Sequence, residues 1–434
     1  MRRMIRVVSI LMLSMLPVLA QHGKVAFTGA QIIPINGDEI SNGVLVIEKG
    51  KIIALGNADQ VTIPDNAEVI KAEGKVIMPG LVDTHSHLGM DWGFDSDSPT
   101  HPDIRILDAI NPHQANLNRA RAGGITTLNI MPGSGHLLSG QTIYLKPKKV
   151  NTVEDMLFCK DILNDICGGI KMANGTNSIR EKPFPGTRGR SAAIVRNLYY
   201  QALDYKKKME RAGRDKSKLP EKNIGMDALL EVLNGERIVH HHTHRADDIL
   251  TVLRLKEEFG FKVVLHHVSE GWKVAGEIAK AGVPCSIILV DSPGGKLEAV
   301  NLRFETAKIL VDAGVLVAFH SDDWITDARL FLRMAALGVR AGLSRKVALE
   351  ALTINGAKML ELEAQVGSLE IGKSADFIIL SGDPLSVYTH VEQTWIDGKK
   401  EFDRSDEGDY KYATGGFNVY PGHDHIDCFD GGSH

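Results

Sequence analysis

The sequence has little of several features that would place it outside the ordinary globular enzymes. Among its 434 residues there are only four cysteines, the formal net charge is -4, and no basic stripe is present. A charge of this size and sign argues against nucleic-acid binding. The hydrophobic share of 43% and the charged share of 24% are typical of a globular protein with a substantial core. The length is too great for one small domain and is enough for a barrel with an accessory unit.

The four cysteines are Cys159, Cys167, Cys285 and Cys428, and they do not have the pattern of a disulfide framework. Cys159 and Cys167 lie in a stretch whose pattern predicts a helix. Two turns of helix would separate them by about 12 Å, which is too far for a disulfide. No spacing resembles a zinc knuckle. The sequence therefore predicts free thiols, most of them buried.

A long apolar run is present only near the N-terminus, at residues 7–20, after Arg2, Arg3 and Arg6. A basic start, a short apolar run and small residues before Gln21 are typical of a secretory signal peptide. The run is short for a bilayer span, it contains Pro17, and no cysteine follows for a lipid anchor. The alternative is a buried N-terminal helix. The expectation is a protein exported to the periplasm or secreted, with no membrane anchor after cleavage at residue 20.

Short β segments broken by glycine and asparagine occupy the region up to residue 78, and similar segments return at 364–403. A β unit split between the two ends of the chain indicates that the intervening chain is inserted into it. We predict a small β-sandwich domain from residues 21–78 and 364–403. Residues 404–434 are interpreted as a poorly ordered tail, in which a metal-binding role for His423 and His425 is less favoured than an incidental one.

Residues 79–363 alternate between strand-like runs and amphipathic helices, which predicts an α/β fold with a (β/α)₈ TIM barrel. The predicted strands are residues 81–87, 125–130, 142–145, 169–172, 237–244, 262–267, 285–290 and 316–322. The predicted helices include residues 192–211, 247–259, 274–281, 297–313 and 329–341. The connection from residue 173 to 236 is long, as in lids and binding loops.

Ligand-type side chains stand where several of these strands end. The first strand ends with His85 and His87, which period-2 geometry puts on one face. Alternation also puts His240, His242 and His244 on one face of the fifth strand, with His241 on the other. The sixth strand ends at His267 and the eighth at Asp322. One His-x-His pair is a weak signal, but its repetition at the C-terminal mouth of a barrel predicts a zinc-like metal site. His241 and His266 are equally well explained as core or surface histidines.

The chain resembles the amidohydrolase superfamily in residues 79–87, PGLVDTHSH, in the histidines of strands 5 and 6, in the Asp of strand 8, and in residues 367–377, GSLEIGKSADF. It is similar, more narrowly, to the imidazolonepropionase-related branch in residues 124–127, 132–134, 242–249 and 353–357. The resemblance covers nearly the whole chain after the signal peptide. It implies a metal-dependent hydrolase with its site in a TIM barrel.

The resemblance also implies roles for individual residues. His85 and His87 would bind a first ion, completed by Asp322, and His242 and His267 would bind a second. Lys171, at the end of strand 4, would be carboxylated and would bridge two zinc ions, with manganese or iron as alternatives. Asp322 would be the base that moves a proton from the attacking water to the leaving nitrogen.

Two further points bear on these roles. In this branch the run Lys-Met-Ala is followed by Gly-Glu-Asn-Pro, whereas this chain continues with Asn174, Gly175 and Thr176. The sequence therefore does not decide whether the site binds one ion or two. His244, Arg245 and Arg188 are the candidates for binding an anionic or amide substrate. Glu270 would contact the ligand residues without binding the ion itself.

The predicted function is hydrolysis of a C–N bond in a small molecule, namely an amide, a cyclic amide or a peptide-like linkage. The alternatives are a mononuclear deaminase, a lactonase, or a barrel that has lost its metals. Deaminases usually place a glutamate three residues after the histidine of strand 5, where this chain has Arg245. The intact histidine set opposes a metal-free scaffold. The sequence leaves the substrate and the oligomeric state open, a homo-oligomer included.

Overall fold

The computed structural model describes residues 23–90, 97–179, 185–289, 296–323 and 325–415. The predicted signal peptide, Cys428 and the pair His423 and His425 lie outside these ranges. The strands are β1 (Val25–Ile32), β2 (Ile40–Glu48), β3 (Lys51–Asn57), β4 (Glu68–Lys71), β5 (Val76–Pro79), β6 (Leu81–Ser86), β7 (Ile125–Ile130), β8 (Leu138–Gln141), β9 (Ile143–Leu145), β10 (Ile170–Ala173), β11 (Val239–Thr243), β12 (Val263–His267), β13 (Cys285–Ile287), β14 (Val317–Phe319), β15 (Phe377–Leu380), β16 (Val391–Ile396) and β17 (Lys399–Asp403).

The helices are α1 (Asn116–Ala122), α2 (Arg188–Ala212), α3 (Ile224–Leu233), α4 (Ala246–Phe259), α5 (Ala275–Lys280), α6 (Thr306–Asp312), α7 (Arg333–Arg340), α8 (Arg345–Ala351), α9 (Ile354–Met359) and α10 (Glu407–Thr414). Within the described ranges, none of them is both long and apolar enough to cross a membrane.

Strands from both ends of the chain form one sheet, in the order β17-β16-β15-β5-β1-β2-β3, with β4 paired to β1. The sequence predicts that both ends of the chain contribute to this domain. β15 pairs antiparallel with β5 and so joins the late strands to the early ones in one hydrogen-bonded ladder. Its core contains Phe27, whose ring lies 5.0 Å from that of Phe377 and 5.1 Å from that of Trp395.

The inserted region contains two further sheets, one in the order β14-β13-β12-β11-β10-β8 and one in the order β6-β7-β9. From β10 to β14 every pairing is parallel, as expected when helices connect the strands, and β6 pairs in parallel with β7. The prediction of a third parallel strand at residues 142–145 is wrong. Its counterpart β9 pairs antiparallel with β7, and β8 pairs antiparallel with β10. Two short strands in different sheets thus stand where a βα unit was predicted.

The two inner sheets meet between β6 and the residues that follow β14. The amide of Asp322 donates to the carbonyl of His85 at 2.9 Å, and the amide of Ser321 donates to Asp83 Oδ1 at 3.0 Å. These bonds bring the ends of the first and last parallel strands together. The site described below lies at this junction.

Two predictions about helices and the tail are wrong. The predicted helix 297–313 is confined to α6, preceded by one 3-10 turn at Leu297–Ala299, and Leu297 and Val300 are exposed rather than packed. Within the predicted tail, residues 407–414 form α10. Its N-cap is Asp406, whose side chain accepts the amide of Asp409, so the first turn has a stabilising cap.

Cys159 and Cys167 form a disulfide, and the prediction of free thiols at these positions is wrong. The segment between them is a series of turns rather than a helix, and their Cα atoms lie 5.1 Å apart. Asp161 and Asp165 accept backbone amides within this segment and hold the turns. Cys285, in contrast, is a buried free thiol, as predicted.

A buried lysine connects the inserted region to the eight-stranded sheet. Lys146, just after β9, places its Nζ 2.8 Å from Asp376 Oδ2 and 2.5 Å from Asp397 Oδ1. Burial would lower the pKa of Lys146, but the two carboxylates raise it, so the lysine is charged at neutral pH. Lys148 contacts the same Asp397 at 3.4 Å from a more exposed position.

We expect Lys146→Met to destabilise the protein by about 3 kcal/mol or more, because it leaves the buried Asp376 carboxylate without its cation. The matched control is Lys148→Met, which should cost less than about 1 kcal/mol because its ion pair is partly solvated. Urea unfolding of both variants checks this. Equal losses for the two variants would contradict a special role for the buried lysine.

Candidate metal centre

Two histidines and one aspartate converge at the junction of the inner sheets. His85 and His87 leave the end of β6, and Asp322 follows β14. Asp322 Oδ1 lies 3.1 Å from His87 Nε2 and 3.4 Å from His85 Nε2, and its Oδ2 lies 3.9 Å from His267 Nδ1. His85, His267 and Asp322 offer ligand atoms within 4.8 Å of one another. The three residues predicted for the first ion are therefore brought together.

A second group stands beside the first, at the ends of β11 and β12. The rings of His242 and His267 lie 4.4 Å apart, and His244 lies 4.6 Å from His242 and 5.0 Å from His267, centroid to centroid. Ligand nitrogens of these three rings also lie within 4.8 Å of one another. The structure thus places the predicted pair His242 and His267 together and adds His244 to it.

Lys171 lies inside the same cluster, on β10. Its side chain is fully buried, and its Nζ lies 3.0 Å from His85 Nε2 and 3.0 Å from Met131 Sδ. The register of β10 on β11 pairs Lys171 with His240, so both point to the same side of the sheet. The predicted bridging position therefore adjoins the first group.

Burial sets the charge of the imidazole rings. It lowers the pKa of His320 to about 3 and that of His240 to about 3, in both cases with Lys171 adding to the effect. The pKa values of His85 and His242 are lowered well below the usual range, first by burial and then by neighbouring cations, Lys171 for His85 and Lys296 for His242. These rings are neutral at pH 7, which is the form that binds metal ions.

Asp322 has the opposite charge state. Burial alone would raise its pKa, but the hydrogen bond from His87 and the surrounding charges lower it. The carboxylate is therefore ionised at neutral pH. An ionised carboxylate among neutral imidazoles is a donor set that fits a divalent cation.

Several ring nitrogens in the two groups are buried and have no hydrogen-bond partner within the described ranges: His85 Nδ1, His242 Nδ1 and Nε2, His244 Nε2, and His267 Nε2. Buried polar atoms are almost always satisfied in folded proteins, because leaving them unpaired is costly. A bound cation would satisfy nitrogen lone pairs that converge in this way. The residues present therefore fit a metal centre.

Groups behind the ligands fix their orientation. His87 Nδ1 lies 2.7 Å from the carbonyl oxygen of Met131, and this contact fixes the ring so that Nε2 faces Asp322. Asp83 accepts the amides of His85 and Ser321 and a short hydrogen bond from the Ser321 hydroxyl. Burial raises the pKa of Asp83 to about 7, although these bonds oppose it. One carboxyl group thus holds both strands that carry the first group.

Backbone strain is concentrated at the same place. His267, Val268 and Asp322 have φ angles of 70°, 50° and 49°. A positive φ is uncommon for any of these and is an outlier for a β-branched valine. Each such residue costs on the order of 1–3 kcal/mol and persists only where the surrounding structure enforces it. The amide of Val268 donates to the carbonyl of Thr243 at 2.9 Å, and this hydrogen bond helps to hold the strained backbone in place.

His320 is a buried member of the cluster that sequence reasoning did not select. Its Nε2 lies 3.1 Å from His267 Nδ1, its Nδ1 lies 2.8 Å from Ser286 Oγ, and its ring stacks on that of His85. A signal was present, because His320 precedes Asp322 by two residues and so shares its strand face. His266 and His240 are also inside, joined by a contact of 3.0 Å between ring nitrogens.

The other predicted site residues lie further out. Arg188 Nε donates to both carboxylate oxygens of Asp248 at 2.9 Å, and its Nη2 lies 3.9 Å from Glu298. Arg245 is exposed and pairs with Asp247, so it does not join the cluster. Glu270 accepts hydrogen bonds from the amide of Ala246 and from the side chains of Lys273 and Asn301. These bonds place its carboxylate at the N-terminus of α4, where it holds the first turn of the helix.

A buried carboxylate approaches the backbone that follows β10 at Gly175 and Thr176. The amide of Thr176 donates to Glu298 Oε2 at 2.8 Å, and the Glu298 side chain is almost fully buried. Gly175 has a φ of +79°, and a Cβ there would come within 2.5 Å of the same oxygen. A glycine is therefore required for the Glu298 carboxylate to approach the end of β10.

Comparison with known protein sequences identifies enzymes to which this chain is similar. The amidohydrolase family pattern matches residues 230–400. The amidohydrolase tasK from Hapsidospora irregularis is 26% identical over 397 residues, covering 83% of this chain but 40% of tasK, so the chain spans less than half of that relative. An imidazolonepropionase from Symbiobacterium thermophilum is 26% identical over 384 residues, with 79% of this chain and 84% of the relative covered.

Solved structures give the same result. An amidohydrolase from Thermotoga maritima is 33% identical, has a TM-score of 0.82, and covers 88% of this chain and 100% of its own. A β-aspartyl dipeptidase from Fervidobacterium islandicum, 14% identical with a TM-score of 0.55 over 87% of this chain and 96% of its own, shares the fold alone. These neighbours imply a TIM-barrel-type fold with a separate domain, which confirms the predicted fold at this level.

Proposed function

This chain belongs to the amidohydrolase superfamily, in its imidazolonepropionase-related branch, and we propose that it is an exported, metal-dependent hydrolase of a C–N bond in a small molecule. Relatives of this family are hydrolases and deaminases that act on C–N bonds. The observation that carries the proposal is the convergence of His85, His87 and Asp322 beside His242 and His267, with unpartnered ring nitrogens.

In the proposed centre, His85, His87 and Asp322 hold one divalent ion, and His242 and His267 hold a second. Zinc suits the imidazole-rich donor set, and manganese or iron are alternatives. When bound, the ions supply a nucleophile from water near neutral pH and polarise the carbonyl that is attacked.

Asp322 is proposed as the base. Its carboxylate is ionised and lies 3.1 Å from His87 Nε2, within the first group. It accepts the proton that the attacking water loses as the bond to the carbonyl carbon forms. It then returns that proton to the nitrogen as the C–N bond breaks, so the products are a carboxylic acid and an amine.

Lys171 is proposed to carry a carboxyl group. Once deprotonated, its amine adds carbon dioxide and releases one proton, which gives a carbamate with one negative charge. The buried position of Nζ, 3.0 Å from His85 Nε2, supports a bridging role, because an anion there is stabilised by two cations. The carbamate and Asp322 together would offset half of the charge of two divalent ions.

The closed form of the barrel is also part of the proposal. The hydrogen bonds between the strand ends at His85 and Asp322 support it, as does the continuity of chain from β8 to β9. In such a barrel the site would lie at the C-terminal mouth, where barrel enzymes carry their catalytic residues. Arg188, at the start of α2, would face substrate from the long connection after β10.

A deaminase is the alternative that a relative supports, since a 5-methylthioadenosine/S-adenosylhomocysteine deaminase is 24% identical over 396 residues. The residue three positions after His242 is Arg245, and its guanidinium is exposed and paired with Asp247. No carboxylate is supplied from that position. Hydrolysis with Asp322 as the base is therefore favoured over deamination or a lactonase activity.

Export is supported by two independent features. The first is the signal-like segment at residues 1–20, and the second is the disulfide between Cys159 and Cys167, a bond that is rare in cytosolic proteins. We expect mass spectrometry of the native protein from the periplasm or the medium to find an N-terminus near Gln21 and a linked pair of cysteine peptides. Intact Met1 in a cytoplasmic fraction, with both thiols reduced, would contradict export.

The function itself is tested by screening dipeptides, cyclic amides and lactones against the metal-loaded protein. Wild type should hydrolyse at least one amide, and Asp322→Asn should be slower by on the order of 10²–10⁴-fold at saturating metal, because the base is removed. Asp312→Asn, an exposed position on α6, is the matched control and should retain activity. An Asp322→Asn enzyme with most of the wild-type rate would show that Asp322 is not the base.

A further inference from the structure

We propose that His244 is a third ligand of the second ion, so that His242, His244 and His267 form a three-imidazole site that holds its ion without help from Lys171. This inference rests on the proposed function for the presence of metal, and it changes the sequence-based role of His244 from substrate contact to ligand. The site would take a divalent ion that prefers nitrogen donors, such as zinc or cobalt, over one that prefers oxygen donors.

The geometry of the three rings is the first argument. They lie 4.4, 4.6 and 5.0 Å apart, and their ligand atoms fall within 4.8 Å of one another. His244 is as much a member of this group as the other two. Only 6% of its surface is exposed, so its ring is not directed toward solvent. A tetrahedral ion with nitrogen ligands at about 2.1 Å needs only a small contraction of such a set.

The hydrogen bonds of the rings are the second argument. His244 Nδ1 lies 2.7 Å from the hydroxyl oxygen of the buried Ser269, and His267 Nδ1 lies 3.1 Å from His320 Nε2. In each ring the contact occupies Nδ1 and leaves Nε2 for the interior. Those two Nε2 atoms, with both ring nitrogens of His242, have no hydrogen-bond partner among the described residues. A ligand histidine whose other nitrogen is held by a partner is the usual arrangement at metal sites.

The position of Lys171 is the third argument. Its Nζ lies 3.0 Å from His85 Nε2 and 3.0 Å from Met131 Sδ, on the side of the first group. The second group is complete as three nitrogens before any carbamate is added. The first group has a carboxylate and shares His267 with the second. Losing the lysine should therefore affect the two ions unequally.

Cobalt binding to the metal-free protein measures this directly, by absorption spectroscopy and by metal content after gel filtration. Wild type should bind two Co²⁺ ions, and Lys171→Ala should retain one of them. Adding His244→Asn to Lys171→Ala should weaken that remaining ion by on the order of 100-fold, and Ser269→Ala should weaken it by about 10-fold. His241→Asn, on the opposite face of β11, is the matched control and should leave binding unchanged.

The inference is overturned if His244→Asn binds cobalt with wild-type affinity and spectrum, or if Lys171→Ala binds none. Circular dichroism and the melting temperature of the metal-free variants establish that each is folded, and Ser269→Ala provides a milder test should His244→Asn fail to fold. Because the readout is metal binding, it is separate from the hydrolysis screen. A protein that binds two ions in this way but cleaves no amide would refute the proposed function and leave this inference standing.

Discussion

Burial of the imidazole rings holds them in the neutral form, and the centre depends on that condition. A charged imidazolium is disfavoured away from water, so the rings of His85, His242 and His267 keep their lone pairs at neutral pH. Several of those nitrogens are also buried without a protein hydrogen-bond partner in the described part of the chain. A cation satisfies both demands, since it supplies a partner for each lone pair and is attracted by the ionised Asp322. In the proposed centre, the bound ion would therefore stabilise the site.

The fold supplies the means of holding these rings together. Parallel strands end at a common edge, so β6, β11 and β12 deliver their terminal histidines to one place. Asp83 then connects β6 to the residues after β14 by accepting hydrogen bonds from both. The left-handed backbone of His267 and Asp322 is maintained against its own preference by this framework. Backbone strain at these residues indicates that the fold fixes the positions of their side chains at a cost in local stability.

The sequence predicted most of the candidate ligand residues because period-2 alternation and strand ends are local properties. His85, His87, His242, His267 and Asp322 were found from pattern and resemblance, and their proximity follows from topology. The predictions that failed depended on particular side-chain contacts, which periodicity and spacing do not reveal. Cys159 and Cys167 follow turns set by Asp161 and Asp165, not the helix that spacing predicts. His320 shares a face with Asp322, but its contact with His267 depends on β12. Arg245 follows a ligand-bearing strand and yet turns to solvent to pair with Asp247.

The claim that two ions occupy this cluster is tested most directly by anomalous X-ray diffraction from crystals of the zinc-loaded protein, recorded above and below the zinc absorption edge. We expect two peaks about 3.5–4 Å apart. One should contact His85, His87 and Asp322, and the other should contact His242, His244 and His267. Peaks elsewhere on the protein, or none within this cluster, would contradict the account.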